Sequence, residues 1–374
     1  MADLGKVLAW GSLPPPVHGS SVMNRVMHQL LTESASLTWV NSAVASGVSG
    51  LGKVTLTAAC RSLVPMLRYC LLGAIGLRRH TAYISIAVDG PARFRDAFIW
   101  LWSIACAERT IIHVHSGHVE GLVLGRPLRR LSVALTRRSE VWILHSTLAG
   151  HEILGSAGAV RILENGVGCN SLNHEERLSV AHAARSSASP TRVVFLSNHF
   201  REKGPLIVGA AAAVLMRESP DRYEFLFIGA AVDPAVEREL AEFMSEARNH
   251  WRLSSPDVDD KCVALGQADL LCMPSRWPLE GQPLVLLEAA AHGTPAVVTD
   301  FASLKATAGP TGRTVASVEQ LIDTLREHAS RGLDWRLAER EEVLTRWRDH
   351  YSETAFRCRA MALLVERPAL RGDS

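Results

Sequence analysis

The chain has few cysteines and little charge of either sign to spare. Its seven cysteines (Cys60, Cys70, Cys106, Cys169, Cys262, Cys272 and Cys358) are scattered and odd in number, with no C-x-x-C pair. A disulfide frame and a cysteine zinc site are therefore excluded, and reduced thiols in a cytosolic protein are expected. Forty basic against 38 acidic residues leave a formal net charge of +2, so no global field marks a nucleic-acid binder. Any phosphate recognition must be local. No signal peptide is visible in "MADLGKVLAWGS", which predicts a cytoplasmic location. Long apolar runs are also lacking. The longest, Leu63 to Leu77, is interrupted by Pro65 and Arg68 and flanked by Arg61, Arg78 and Arg79, too short and broken to span a bilayer. It reads first as a buried helix of the first domain and second as an interfacial helix touching anionic headgroups. There is no internal repeat, no low-complexity tract and no Asp-x-Asp element after a strand; "DVDD" at 257–260 reads as the cap of the next helix.

What is present is a long alternation of short apolar runs and helical patterns, the signature of parallel sheets built from βα units. With 374 residues and 47% apolar content, about two domains are expected, each with its own core. Strands are predicted at Val7–Trp10, Leu37–Asn41, Ala82–Ala87, Thr110–Val114 and Val141–Leu144, with helices over Ser21–Leu31 and Phe98–Ala107. A polar segment ending in a Ser/Ala/Pro cluster follows, and the pattern restarts at Arg192 with "RVVFLS". Further strands are predicted at Glu224–Ile228, Leu270–Met273 and Ala296–Val298, and a charged helical end from Val315. Two doubly wound α/β halves joined within residues 170–190 give the simplest architecture. Ligands of such sheets sit beyond the carboxyl ends of strands, so the loops after strands are where chemistry is sought.

Five loops stand out. The first strand runs into "PPPVHGSSV", where Gly19 precedes two serines at a helix start that can cradle an anion; Ser20 or Ser21 as a plain N-cap is the simpler reading. The fourth strand ends in "IIHVHSGH", with His113 and His115 on one side, a partial ligand set at most. A hydrogen-bonded core histidine and a functional one are equally open here. "FLSNHFREKGPL" gathers Asn198, His199, Arg201 and Lys203 before a helix opened by Gly204 and Pro205, where a phosphate can bind, though a solvated Lys-Gly turn has the same appearance. In "PSRWPLEGQPLVLLEAAAHGTP", Glu280 precedes Gly281, Gln282 and Pro283, and Pro283 suits the first helical turn. Leu284 and Val285 then offer unpaired N–H groups, with Glu288 a little over one turn further on. Two carboxylates flanking an anion-binding helix start match a nucleotide sugar: a polyol, a diphosphate and a ribose diol. The fifth loop, "RILENGVGCNS", places Asn165 and Gly166 in a tight turn near the join.

In this order the loops resemble those of the retaining glycosyltransferases of GT-B architecture, in particular the family 4 group (glycosyl transferases group 1), over roughly Val7 to Pro310. The most specific likeness is the E-x7-E element, met by Glu280 and Glu288, followed by "REKG" and "ILENGV". The resemblance implies two facing doubly wound Rossmann-like domains: residues 1–175 on the acceptor side, 190–345 binding the donor, and a helical tail over 346–374 crossing back onto the first. It implies that Glu280 touches the donor sugar, Glu288 the ribose, and the N–H groups after Gly281, those of Gln282 and Leu284 among them, the diphosphate. Lys203 corresponds to the lysine that neutralises the leaving diphosphate, Gly19 to the glycine of the first-domain loop, and His115, ahead of His113, to the histidine beside the sugar. Asn198 stands where many relatives carry arginine, with Arg201 or His199 as its replacement. Gln282 and Gly168 also depart from the common pattern.

The activity so implied is transfer of a hexose from a nucleotide diphosphate sugar, as co-substrate rather than cofactor, to a carbohydrate or lipid-linked glycan acceptor. Polysaccharide or glycoconjugate biosynthesis is the expected setting, with no metal, no nucleic-acid partner and peripheral contact with the inner membrane face left open. A nucleotide-sugar epimerase on the same scaffold and a non-catalytic binder of sugar nucleotide or glycan are the alternatives.

Overall fold

The computed structural model describes residues 4–43, 56–168, 189–245, 250–253 and 258–369. They fall into two compact units: residues 1–165 with 356–374, and residues 166–355. The first unit contains a six-stranded parallel sheet of β1 (Lys6–Gly11), β2 (Ser36–Asn41), β3 (Thr81–Ile86), β4 (Arg109–Val114), β5 (Glu140–Ile143) and β6 (Ala159–Ile162), in the order β2-β1-β3-β4-β5-β6. Four helices connect them: α1 (Gly19–Ser34), α2 (Leu56–Ile75), α3 (Ala92–Cys106) and α4 (Arg129–Arg137). Parallel strands covered on both faces are apolar throughout, which is why β3, β4 and β5 read as continuous runs in the sequence.

The second unit repeats the plan with β7 (Thr191–Leu196), α5 (Pro205–Glu218), β8 (Tyr223–Ile228), α6 (Pro234–Ser245), β9 (His250–Leu253), α7 (Val258–Gln267) and β10 (Leu270–Met273). It continues through α8 (Leu284–Ala291), β11 (Ala296–Val298), α9 (Leu304–Ala308), β12 (Arg313–Thr314), α10 (Val318–Ser330) and α11 (Leu333–Arg346). Its strand order, β12-β11-β10-β7-β8-β9, reverses direction between β7 and β10. Such a reversal leaves a crevice at the carboxyl ends of those two strands. A π-helical turn over Trp347–Tyr351 then leads to the last helix, α12 (Glu353–Val365).

The expected doubly wound halves are both present, with every predicted strand within a residue or two of its place. The expected join at 170–190 falls mostly on residues outside those described, as do Cys169 and Asp257 of "DVDD". The helical tail divides: 346–355 belongs to the second unit, and α12 to the first. Phe356, Ala360 and Leu364, four residues apart, supply its buried stripe. Arg109 at the start of β4 donates to the carbonyls of Leu364 (2.6 Å), Leu363 (2.9 Å) and Glu366 (3.0 Å). The guanidinium is itself fixed by buried Glu140 at 2.7 Å, so one fork satisfies carbonyls that the helix C-terminus leaves without partners.

The run 63–77 does form a helix, but only one side of it is buried. Tyr69 and the half-buried Met66, Cys70 and Leu72 pack into the first core, whereas Leu63, Val64, Leu67, Leu71 and Ile75 face outward. Burial follows from which faces neighbours cover, and an all-apolar helix does not disclose that.

Candidate active site

Two loops meet at the β7/β10 reversal, and glycine lets them do so. Gly204, N-cap of α5, adopts φ +88, and a Cβ there would lie 2.6 Å from the carbonyl oxygen of Pro274 at the end of β10. Only glycine accepts both the left-handed backbone and that approach. A backbone bond from Arg276 N–H to the Glu202 carbonyl (2.7 Å) closes the loops on each other. Gly229 does the same for the neighbouring turn after β8: with φ +156, a Cβ would meet the Ser197 carbonyl oxygen at 1.8 Å.

Across this junction Lys203 donates to Glu280 at 2.6 Å. The same Oε2 of Glu280 accepts from buried Ser275 at 3.1 Å, and the Ser275 hydroxyl accepts from Trp277 N–H at 3.2 Å. Trp277 stacks on Phe200 from the other loop, centroids 5.0 Å apart, and lies 5.6 Å from the Lys203 ammonium. A carboxylate with 6% exposure is thus oriented by a lysine and a hydroxyl. Just beyond it, α8 starts at Leu284. Pro283 is the N-cap rather than the first helical residue, and it supplies no side-chain cap. The first-turn N–H groups, Leu284 and Val285, therefore point out of an uncapped, partly positive helix end. Gly281 is held by a bond from the Ser303 hydroxyl to its carbonyl, and Gln282 is buried beside it. Glu288 is half-buried on α8 and paired with Lys261 of α7 at 2.7 Å.

The remaining residues proposed for the second unit are engaged elsewhere. Arg201 is exposed and paired with Glu239 on α6. His199 is fully buried and bonded to Glu237 on the same helix at 2.6 Å. Asn198 accepts at 3.4 Å from Ala230 N–H in the loop after β8. The structure thus brings Lys203, Glu280 and the α8 start together and turns Arg201 and His199 toward α6. Sequence reading missed Lys261, twenty-seven positions from its partner, and Phe200 and Trp277, whose stacking needs both loops.

In the first unit, α1 is capped by His18 rather than by Ser20 or Ser21. His18 Nδ1 accepts from Ser21 N–H at 3.3 Å and the Ser21 hydroxyl accepts from His18 N–H at 3.0 Å, leaving Gly19 as the first helical residue. His113 and His115 lie against each other with centroids 3.9 Å apart and planes tilted by 37°, and His113 Nδ1 is bonded to the Tyr83 hydroxyl at 2.7 Å. Both ring nitrogens of His115 are shut off from solvent and have no hydrogen-bond partner among the described residues. Burial first, then the neighbouring charge of His18, pushes the His115 pKa down to about 3. Burial and His115 push His113 well down too, so both imidazoles are neutral. His118 turns instead toward Asp89 at 3.4 Å. Among the described residues no cluster of three His, Cys, Asp or Glu side chains suits a metal ion.

Twin parallel doubly wound sheets with the last helix returned to the first define a GT-B fold. Residues 190–330 match the family model of "Glycosyl transferases group 1", the span that contains the Lys203–Glu280 junction. The chain superposes on sucrose-phosphate synthase from Thermosynechococcus elongatus with a TM-score of 0.70 at 15% identity, covering 96% of this chain and 98% of that one. A UDP-forming α,α-trehalose-phosphate synthase from Burkholderia vietnamiensis gives 0.69 at 12% identity, covering 97% and 99%. WaaG, a glycosyltransferase involved in lipopolysaccharide biosynthesis, gives 0.63 at 14% identity, covering 97% and 100%. No curated protein sequence matches the chain.

Proposed function

We propose that this chain is a retaining, metal-independent hexosyltransferase that moves a sugar from a nucleotide diphosphate donor to a carbohydrate or lipid-linked glycan acceptor in glycoconjugate synthesis. The observation that carries the reading is the Lys203–Glu280 pair at the β7/β10 reversal, beside the uncapped start of α8. A diphosphate seated on the Leu284 and Val285 N–H groups draws the Lys203 ammonium away from Glu280. Lys203 then neutralises charge that develops as the glycosidic bond breaks, at about 3 kcal/mol per well-placed donor. Glu280, still oriented by Ser275, accepts from the donor sugar's hydroxyls. Glu288 accepts from the ribose diol, sharing or giving up Lys261. In the family arrangement His115 lies beside the sugar, and its neutral imidazole adds no positive charge where the departing sugar becomes cationic. With Arg201 held by Glu239, Lys203 is the cation that serves the diphosphate.

The first test is a thermal-shift screen of common sugar nucleotides, because a donor that binds only the folded state raises the midpoint. Donor and acceptor assays with Lys203→Ala and Glu280→Gln follow. Full turnover in either variant refutes the assigned roles. An altered sugar nucleotide from donor alone supports an epimerase instead, and donor binding without transfer to any acceptor supports a non-catalytic binder.

A further inference from the structure

The outer face of the first unit has a composition that transfer chemistry does not use. Helices α2, α3 and α4 contribute Tyr69, Ile99, Trp100 and Leu135 to one core cluster, so they lie side by side on one face of the sheet. The opposite faces of α2 and α3 are apolar. Val64, Leu67, Leu71 and Ile75 form a stripe on α2 at helical spacing, with Val64 71% and Ile75 83% exposed, and Phe98 and Leu101 continue it on α3. A contiguous exposed apolar face of this kind marks an interaction site.

Charge identifies the partner. No Asp or Glu occurs in residues 56–79 or 126–138, and the one acid of α3, Asp96, is buried on Trp10 and Arg95. Arg61, Arg68, Arg78 and Arg79 are exposed around the α2 stripe and make no ion pair with a described residue. The α4 segment adds exposed Arg130, Arg137 and Arg138. A second copy of the same face would set arginines against arginines. A spanning role is excluded for these helices, because no described helix is long and apolar enough to cross a membrane. We propose that the α2–α4 face docks on an anionic lipid surface. The leucine and phenylalanine side chains enter the headgroup boundary, and the arginines pair with lipid phosphates. This assignment rests on the surface alone and stands or falls independently of the transferase reading.

Co-sedimentation of the full chain with phosphatidylcholine vesicles, with and without phosphatidylglycerol, tests it. Binding to the anionic vesicles that weakens as salt rises is expected, with little binding to neutral ones. Replacing three exposed arginines (Arg61→Gln, Arg68→Gln and Arg79→Gln) should weaken partition about a hundredfold, on the scale of surface arginines at an anionic membrane. Leu67→Asp with Leu71→Asp should abolish it while leaving the circular dichroism spectrum unchanged. Failure of the unmodified chain to bind anionic vesicles overturns the proposal, as does undiminished binding by either variant. So does a dimer, seen by analytical ultracentrifugation, that the paired aspartates dissociate, because the face then belongs to a second copy.

Discussion

At the reversal in the second sheet, Lys203 is set against Glu280, and an uncapped helix end lies beside them. At the end of β4 in the first sheet, two imidazoles are packed against each other and stripped of charge. The two units share a plan of parallel strands but prepare their loops in opposite ways. One stores charge in a pair that an anionic ligand can open. The other removes charge by burial, leaving a neutral surface of fixed shape. Function on such a duplicated plan follows from what the strand-end loops carry, since the sheets themselves are alike.

Four experiments press on that contrast. The largest effect is expected from Lys203→Ala, which removes the cation and leaves Glu280 buried with only Ser275. Turnover should fall about 100- to 1,000-fold, measured as initial rate at saturating donor. Loss of donor affinity with turnover unchanged would break the contrast, because the lysine would then bind substrate without favouring the transition state. Next is Gly204→Ala, which forces a side chain into left-handed backbone against Pro274. A loss of about 2–4 kcal/mol in chemical denaturation is expected, with weaker donor binding as the two loops separate.

The first unit should respond to pH instead. Unfolded imidazoles take up protons near pH 6.5, whereas folded His115 does so only near 3, so the unfolded state binds more protons between those values. Stability is therefore lost as pH falls, by about 2 kcal/mol for His115 on reaching pH 5. His115→Asn should flatten the melting-temperature profile there, with the buried His113 adding in the same direction. A profile that His115→Asn does not alter would show that His115 charges freely. The smallest effect is expected from Arg201→Ala: a marginal change in stability, because its pair with Glu239 is exposed, with donor affinity nearly unchanged. A large rise in donor KM would place Arg201 in the diphosphate clamp after all.

Most strands were legible because parallel strands buried on both faces leave apolar runs bounded by turn residues, as at Leu270–Met273 and Ala296–Val298. The E-x7-E spacing and the Lys-Gly helix start were legible for a related reason: their chemistry lies within one short segment each. What was not legible involves partners distant in sequence. Nothing near Glu288 announces Lys261, and nothing near Arg201 announces that Glu239 will claim it. The His18 cap was obscured by two serines that are better capping residues. The outward face of α2 was hidden by its own composition, since apolar residues surround the helix and only the fold decides which are covered.

The grip of Arg109 on the carbonyls at the end of α12 has a consequence in time. A strand laid down early in synthesis is completed by a helix made after the entire second unit. During translation the second unit can close first, while the sheet bearing His115 waits for Phe356, Ala360 and Leu364 to leave the ribosome. A chain stopped before Phe356 should therefore hold a finished second unit and an open first one, with Glu140 keeping Arg109 ready for carbonyls that never arrive.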